Sequence, residues 1–106
     1  MIYKLFTDDD FDADISCRDG YSLIDFSAKQ CGPCRKMDPV LEETDIKLGD
    51  RIKFFSADRD ALNKTAKQCE IMGVPTFILF KDGEEIDRCT GYFPISKFIK
   101  WLEGSL

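Results

Sequence analysis

Two apolar runs with a helix-spaced segment between them constrain this chain more than any other feature of its sequence. Ser22-Leu23-Ile24-Asp25-Phe26 is apolar apart from Ser22 and one acid, and Ile52 to Ala57 is a second run of the same kind. Such runs read as strands covered on both faces, the type found where helices flank a parallel sheet. From Pro33 to Leu48, the positions Met37, Val40, Leu41 and Leu48 keep helical spacing. Pro39 falls inside that segment and is expected to kink it, having no N–H to donate and a ring that crowds the preceding turn.

The rest of the chain extends the pattern. Ile2 to Phe6 reads as a first strand, and Asp8 to Arg18 as a short helix with Phe11 and Ile15 spaced i, i+4. The acids Asp8, Asp9, Asp10, Asp12 and Asp14 suit a solvated helix start and lack the glycine and spacing of a calcium loop. Leu62, Ala66 and Cys69 mark one face of a further helix. Thr76 to Phe80 is strand-like, and Asp82-Gly83 sits where a tight turn joins it to Glu85–Cys89. Ile95, Phe98, Ile99 and Leu102 form the apolar stripe of a closing helix that starts near Pro94, with Trp101 in a packing role. The expected order is βαβαβαββα: an α/β fold, parallel early and antiparallel late, in a single domain over residues 1–106.

Composition narrows the function classes. The chain has no histidine, which removes Cys-His and Ser-His catalytic pairs and every His-ligated metal site. Its net charge of −5 argues against a nucleic-acid partner. No apolar run reaches the roughly 20 residues needed to cross a bilayer, so no membrane association is expected. The first residues turn acidic before any signal core could form, and five cysteines is an odd number for a paired secreted framework. A reducing cytoplasm is the expected compartment, where cysteines point to chemistry or metal.

That chemistry centres on Cys31-Gly32-Pro33-Cys34, directly after a strand and opening a helix. The two-residue spacing lets both sulfurs meet on one helical turn, and Pro33 suits the first turn. Cys31 would then lie at the helix N-terminus, where free N–H groups and the dipole stabilise a thiolate, with Cys34 placed to resolve a mixed disulfide. The same pair could supply half of a zinc site. Zinc would need two more ligands, and Cys17, Cys69 and Cys89 occur singly, on apolar faces that suit packed thiols.

The stretch from Ile24 to Pro39, containing Asp25, the Cys31–Cys34 motif and Pro39, resembles the active-site region of the thioredoxin family. Gly73-Val74-Pro75-Thr76-Phe77, Leu79-Phe80-Lys81-Asp82-Gly83-Glu84 and Gly91 resemble its second half, in the right order. The resemblance implies the thioredoxin fold, a central mixed sheet flanked by helices. It also implies a monomeric thiol–disulfide oxidoreductase that reduces protein disulfides. Such a protein needs no bound cofactor, only an external electron donor such as a thioredoxin reductase. An isomerase or oxidant on the same fold is the alternative within the family. By the resemblance Cys31 is the nucleophile, Cys34 the resolving cysteine and Asp25 the buried acid behind them. Pro75 matches a cis-proline facing the dithiol, Val74 offers its backbone to a substrate strand, and Gly91 keeps the groove open.

Three positions depart from the family. Gln30 and Ser27 stand where tryptophans are usual, so docking beside the nucleophile is expected to change. Bacterial members often place a lysine beside the buried acid, and by the resemblance Phe54 falls at that position. Without the cation, Asp25 is expected to be hard to ionise.

Overall fold

The computed structural model describes residues Met1–Leu106. Strand β1 (Ile2–Leu5) leads into helix α1 (Asp8–Phe11), which continues as a π-helical turn over Asp12–Ser16. Strand β2 (Tyr21–Ser27), helix α2 (Gly32–Leu48), strand β3 (Ile52–Asp58) and helix α3 (Asn63–Gln68) follow. Strands β4 (Thr76–Lys81) and β5 (Glu84–Thr90) and helix α4 (Ile95–Glu103) complete the chain.

The strands form one five-stranded sheet in the order β1-β3-β2-β4-β5. The β1–β3 and β2–β3 pairs are parallel, whereas β2–β4 and β4–β5 are antiparallel. This is the mixed sheet of the thioredoxin fold, with the parallel half early and the hairpin late as the sequence suggests. Asp82 and Gly83 both take positive φ, 52° and 83°, as a tight hairpin turn requires. A Cβ on Gly83 would also run into the carbonyl oxygen of Ser16, so this corner of the fold admits only glycine.

Alternation along β2 sorts its side chains onto two cores. Leu23 joins Met37, Val40, Leu41, Phe54, Phe77, Phe98 and Leu102 on the face covered by α2 and α4. Ile24 and Phe26 join Phe11, Ile15, Phe55, Leu62, Ile78 and Phe80 on the face covered by α1 and α3. Asp25 therefore shares the α2 face with Leu23.

The N-terminal segment differs from a plain helix over Asp8 to Arg18. Thr7 caps α1 in a reciprocal capping box with Asp10, and the following π turn keeps both Phe11 and Ile15 against the core. Two residues past Ile15, Cys17 faces away from the core and is exposed, a correction to its reading as a packed thiol. Asp8 is not merely solvated: its carboxylate accepts from the Thr65 N–H at 2.8 Å and the Thr65 hydroxyl at 2.6 Å. Those bonds tie α1 to α3 and hold the Asp8 carboxyl below its ordinary pKa. Pro39 lies inside α2, which stays continuous to Leu48.

Candidate active site

Cys31 is the N-cap residue of α2, in extended conformation, and its sulfur accepts the Cys34 N–H at 3.2 Å. A sulfur in this place receives a backbone donor and the positive end of a helix dipole, the environment that lowers a thiol pKa. Gly32 and Pro33 form the first turn between the two cysteines, which are joined as a disulfide with their Cα atoms 5.2 Å apart. Both cysteines are buried, and Gln30 beside them is exposed. No third cysteine or carboxylate joins them in a cluster suited to a metal ion.

The loop before β4 comes to the dithiol from the other half of the chain. The Val74–Pro75 peptide is cis, and the Val74 carbonyl oxygen lies 3.8 Å from the Cys31 sulfur. Pro75 accepts the Gly91 N–H at 2.8 Å, which fastens this loop to the segment after β5. Gly91 has φ of +99° and open space where a Cβ would stand. Two further contacts hold the same surface and were not legible from spacing. The Thr76 hydroxyl donates to the Gly73 carbonyl at 2.6 Å, and the Phe93 N–H donates to the Met37 sulfur at 3.3 Å.

Asp25 sits on β2, on the face that α2 covers, 4% exposed, and its Oδ1 has no hydrogen-bond partner. Burial, and secondarily the negative charge of Asp38, pushes its pKa up from 3.8 to about 7. Strand register corrects the residue beside it. Asp25 pairs with Ser56, and Phe54 pairs with Leu23. Ser56 therefore occupies the place next to the acid on β3, while Phe54 belongs to the core. Either way no cation stands there, and the hard-to-ionise carboxyl agrees with the expectation.

Two of the remaining cysteines pack beside the cores, where burial disfavours the thiolate. Cys69 packs beside the α1–α3 core and Cys89 beside the α2–α4 core. Burial raises the Cys69 thiol, and burial with Asp87 pushes Cys89 up to about 12. Trp101 is half-buried against Phe98 and donates its indole N–H to Asp87 at 3.0 Å.

The thioredoxin family model matches residues 2–104 of this chain. A thioredoxin of Rhodospirillum rubrum is 35% identical over 103 residues, covering 97% of this chain and 99% of the relative. A thioredoxin of Bacillus subtilis is 41% identical over 88 residues, 83% of each chain. A thioredoxin of Staphylococcus epidermidis is 39% identical over 100 residues, 94% of each. With the mixed sheet and a disulfide closed at a helix start, these matches lead to one conclusion: the chain belongs to the thioredoxin family of thiol–disulfide oxidoreductases.

Proposed function

We propose that Cys31 attacks disulfides of other proteins, that Cys34 resolves the product, and that Asp25 handles the Cys34 proton. The observation that carries this reading is the Cys34 N–H aimed at the Cys31 sulfur from 3.2 Å at the start of α2. A thiolate at Cys31 gains from that donor, whereas Cys34 lies buried within the helix, which covers the face of the sheet that carries the hard-to-ionise Asp25.

The reaction follows in two exchanges. The Cys31 thiolate bonds to one sulfur of the substrate disulfide, and the other substrate sulfur leaves as a thiolate and takes up a proton. Cys34 then passes its proton to the Asp25 carboxylate, and its thiolate bonds to the Cys31 sulfur. The bond between Cys31 and the substrate breaks, releasing a second thiolate that takes up the proton returned by Asp25. The substrate disulfide is reduced to two thiols while the Cys31–Cys34 dithiol is oxidised to the disulfide seen here.

Val74 and Pro75, with Gly91 left open beside them, form the surface on which an extended substrate segment rests, and Gln30 borders it. Electrons return from a thioredoxin reductase by the reverse exchange, with the chain acting as a monomer in a reducing cytoplasm. Substitution tests these roles. Cys34→Ser should accumulate a mixed disulfide with a protein substrate through Cys31, and Cys31→Ser should not turn over. A Cys31→Ser protein that still reduces substrate contradicts the assignment.

A further inference from the structure

Asp25 does not stand alone behind the dithiol. A cavity of about 270 Å³ opens beside it and is lined by Asp38, Ser27, Ser56 and Lys4. A neighbouring opening shares Lys4, Asp25, Asp38 and Ser56 and extends to Glu42. A polar space of this size holds several water molecules, since one needs about 30 Å³ in the liquid. Asp25, whose buried Oδ1 has no hydrogen-bond partner, belongs to the lining of this cavity. Asp38, exposed on α2, stands at its rim.

Helical spacing links Asp38 to the reacting pair. It follows Cys34 by four residues, one turn further along the same side of α2. The other charged groups around Asp25 are few and mixed. From β1, Lys4 lies in the same cross-strand row through Ser56, but its ammonium is drawn over the Phe6 ring, 5.4 Å from the centroid. Lys29 comes from the loop after β2 and Asp58 from β3. From α2 come Asp38 and, behind it, Glu42 and Arg35, which act on Asp38 in opposite senses. On β4, Asp25 faces Phe77, which carries no charge. The acids thus outnumber the cations that reach this cavity.

Resting on the role of Asp25 given above, we propose that Asp38 is a positioning residue for the exchange reaction: by sharing this cavity it governs the pH at which Asp25 can take the Cys34 proton. A carboxylate facing another across a hydrated cavity favours the protonated form of its neighbour. Asp38 would keep Asp25 charged only at the higher end of the physiological range and so set the pH dependence of the second exchange.

The test follows the Asp25 side-chain carboxyl by carbon NMR from pH 4 to 9. Alongside it, the single-turnover release of a model protein thiol from the Cys31 mixed disulfide is timed over the same range. In the wild type both should titrate near 7. Asp38→Asn should lower both midpoints by about half a pH unit or more, the scale of one screened charge. They should stay above the ordinary carboxylate range, because burial still acts. Asp38→Glu should return them to the wild-type position, which a merely structural role would not do. Unmoved midpoints in Asp38→Asn overturn the proposal. Asp25→Asn serves as the control and should erase the kinetic inflection. If the inflection survives there, the role of Asp25 itself fails and the Asp38 proposal with it. If it is erased while Asp38→Asn changes nothing, only Asp38 is wrongly assigned.

Discussion

The sulfur of Cys31 lies 3.8 Å from the carbonyl oxygen of Val74, across 43 residues of sequence. One belongs to the start of α2 and the other to the loop before β4, so this sulfur sits where two halves of the sheet converge. Gln30 precedes that sulfur and is exposed. The junction accordingly has a backbone acceptor on one side and a polar side chain on the other.

Gln30→Trp tests whether this polar border tunes docking or the thiol itself. The substitution touches neither the helix start nor the Cys34 N–H, so exchange with a small dithiol should stay nearly unchanged. Coupling to a thioredoxin reductase should improve, because an apolar anchor beside the reacting sulfur adds binding energy at the centre of an interface. The two rates measured side by side decide the matter. Equal reductase coupling in both proteins makes Gln30 neutral, and a large change with the small dithiol makes it a modifier of Cys31.

Asp25 imposes a pH dependence on stability whose sign is fixed. Its folded pKa is about 7 against 3.8 for the free side chain, so the native state binds the proton more tightly. Stability is therefore highest below the unfolded value and falls as pH rises from about 4 through about 7. The full gap corresponds to an upper limit of about 4 kcal/mol at alkaline pH. Asp25→Asn should stabilise the protein at pH 8 by about 2 kcal/mol, allowing for a buried amide that also lacks partners, and the gain should vanish by pH 4. Urea denaturation at both pH values checks this, and a variant destabilised at pH 8 contradicts it.

Gly83 should resist substitution more than any surface position nearby. Gly83→Ala places a side chain on a residue with φ of 83° and drives it into the Ser16 carbonyl. A loss of about 1–3 kcal/mol is expected, read as a lower urea midpoint with an unchanged slope. A midpoint within experimental error of the wild type would mean that the hairpin shifts away from Ser16 without cost.

Local patterning made the strands, the closing helix and the placement of the cysteine pair legible, because each depends on neighbours within a turn or a strand. The partner of Asp25 did not follow from the same reasoning. Whether Phe54 or Ser56 lies beside it depends on the register of two strands separated by α2, and a shift of two residues keeps the same face. Asp38 was hidden for a related reason: on α2 it reads as one more solvated helix acid until the fold brings the row of Lys4, Ser56 and Asp25 beneath it. Cys17 was misplaced because spacing alone does not reveal the π turn that carries it outward past Ile15. The contact of Phe93 with Met37 joins residues 56 apart and leaves no local trace.

On the function proposed above, the start of α2 makes Cys31, and not Cys34, the reactive thiolate. The direct measurement is alkylation of the reduced protein by iodoacetamide from pH 5 to 10, with the modified peptides resolved by mass spectrometry. Cys31 should be modified well before Cys34 at pH 7, with an apparent pKa below the ordinary thiol value of about 8.5. Modification of Cys34 first, or of both at equal rates, would contradict the account.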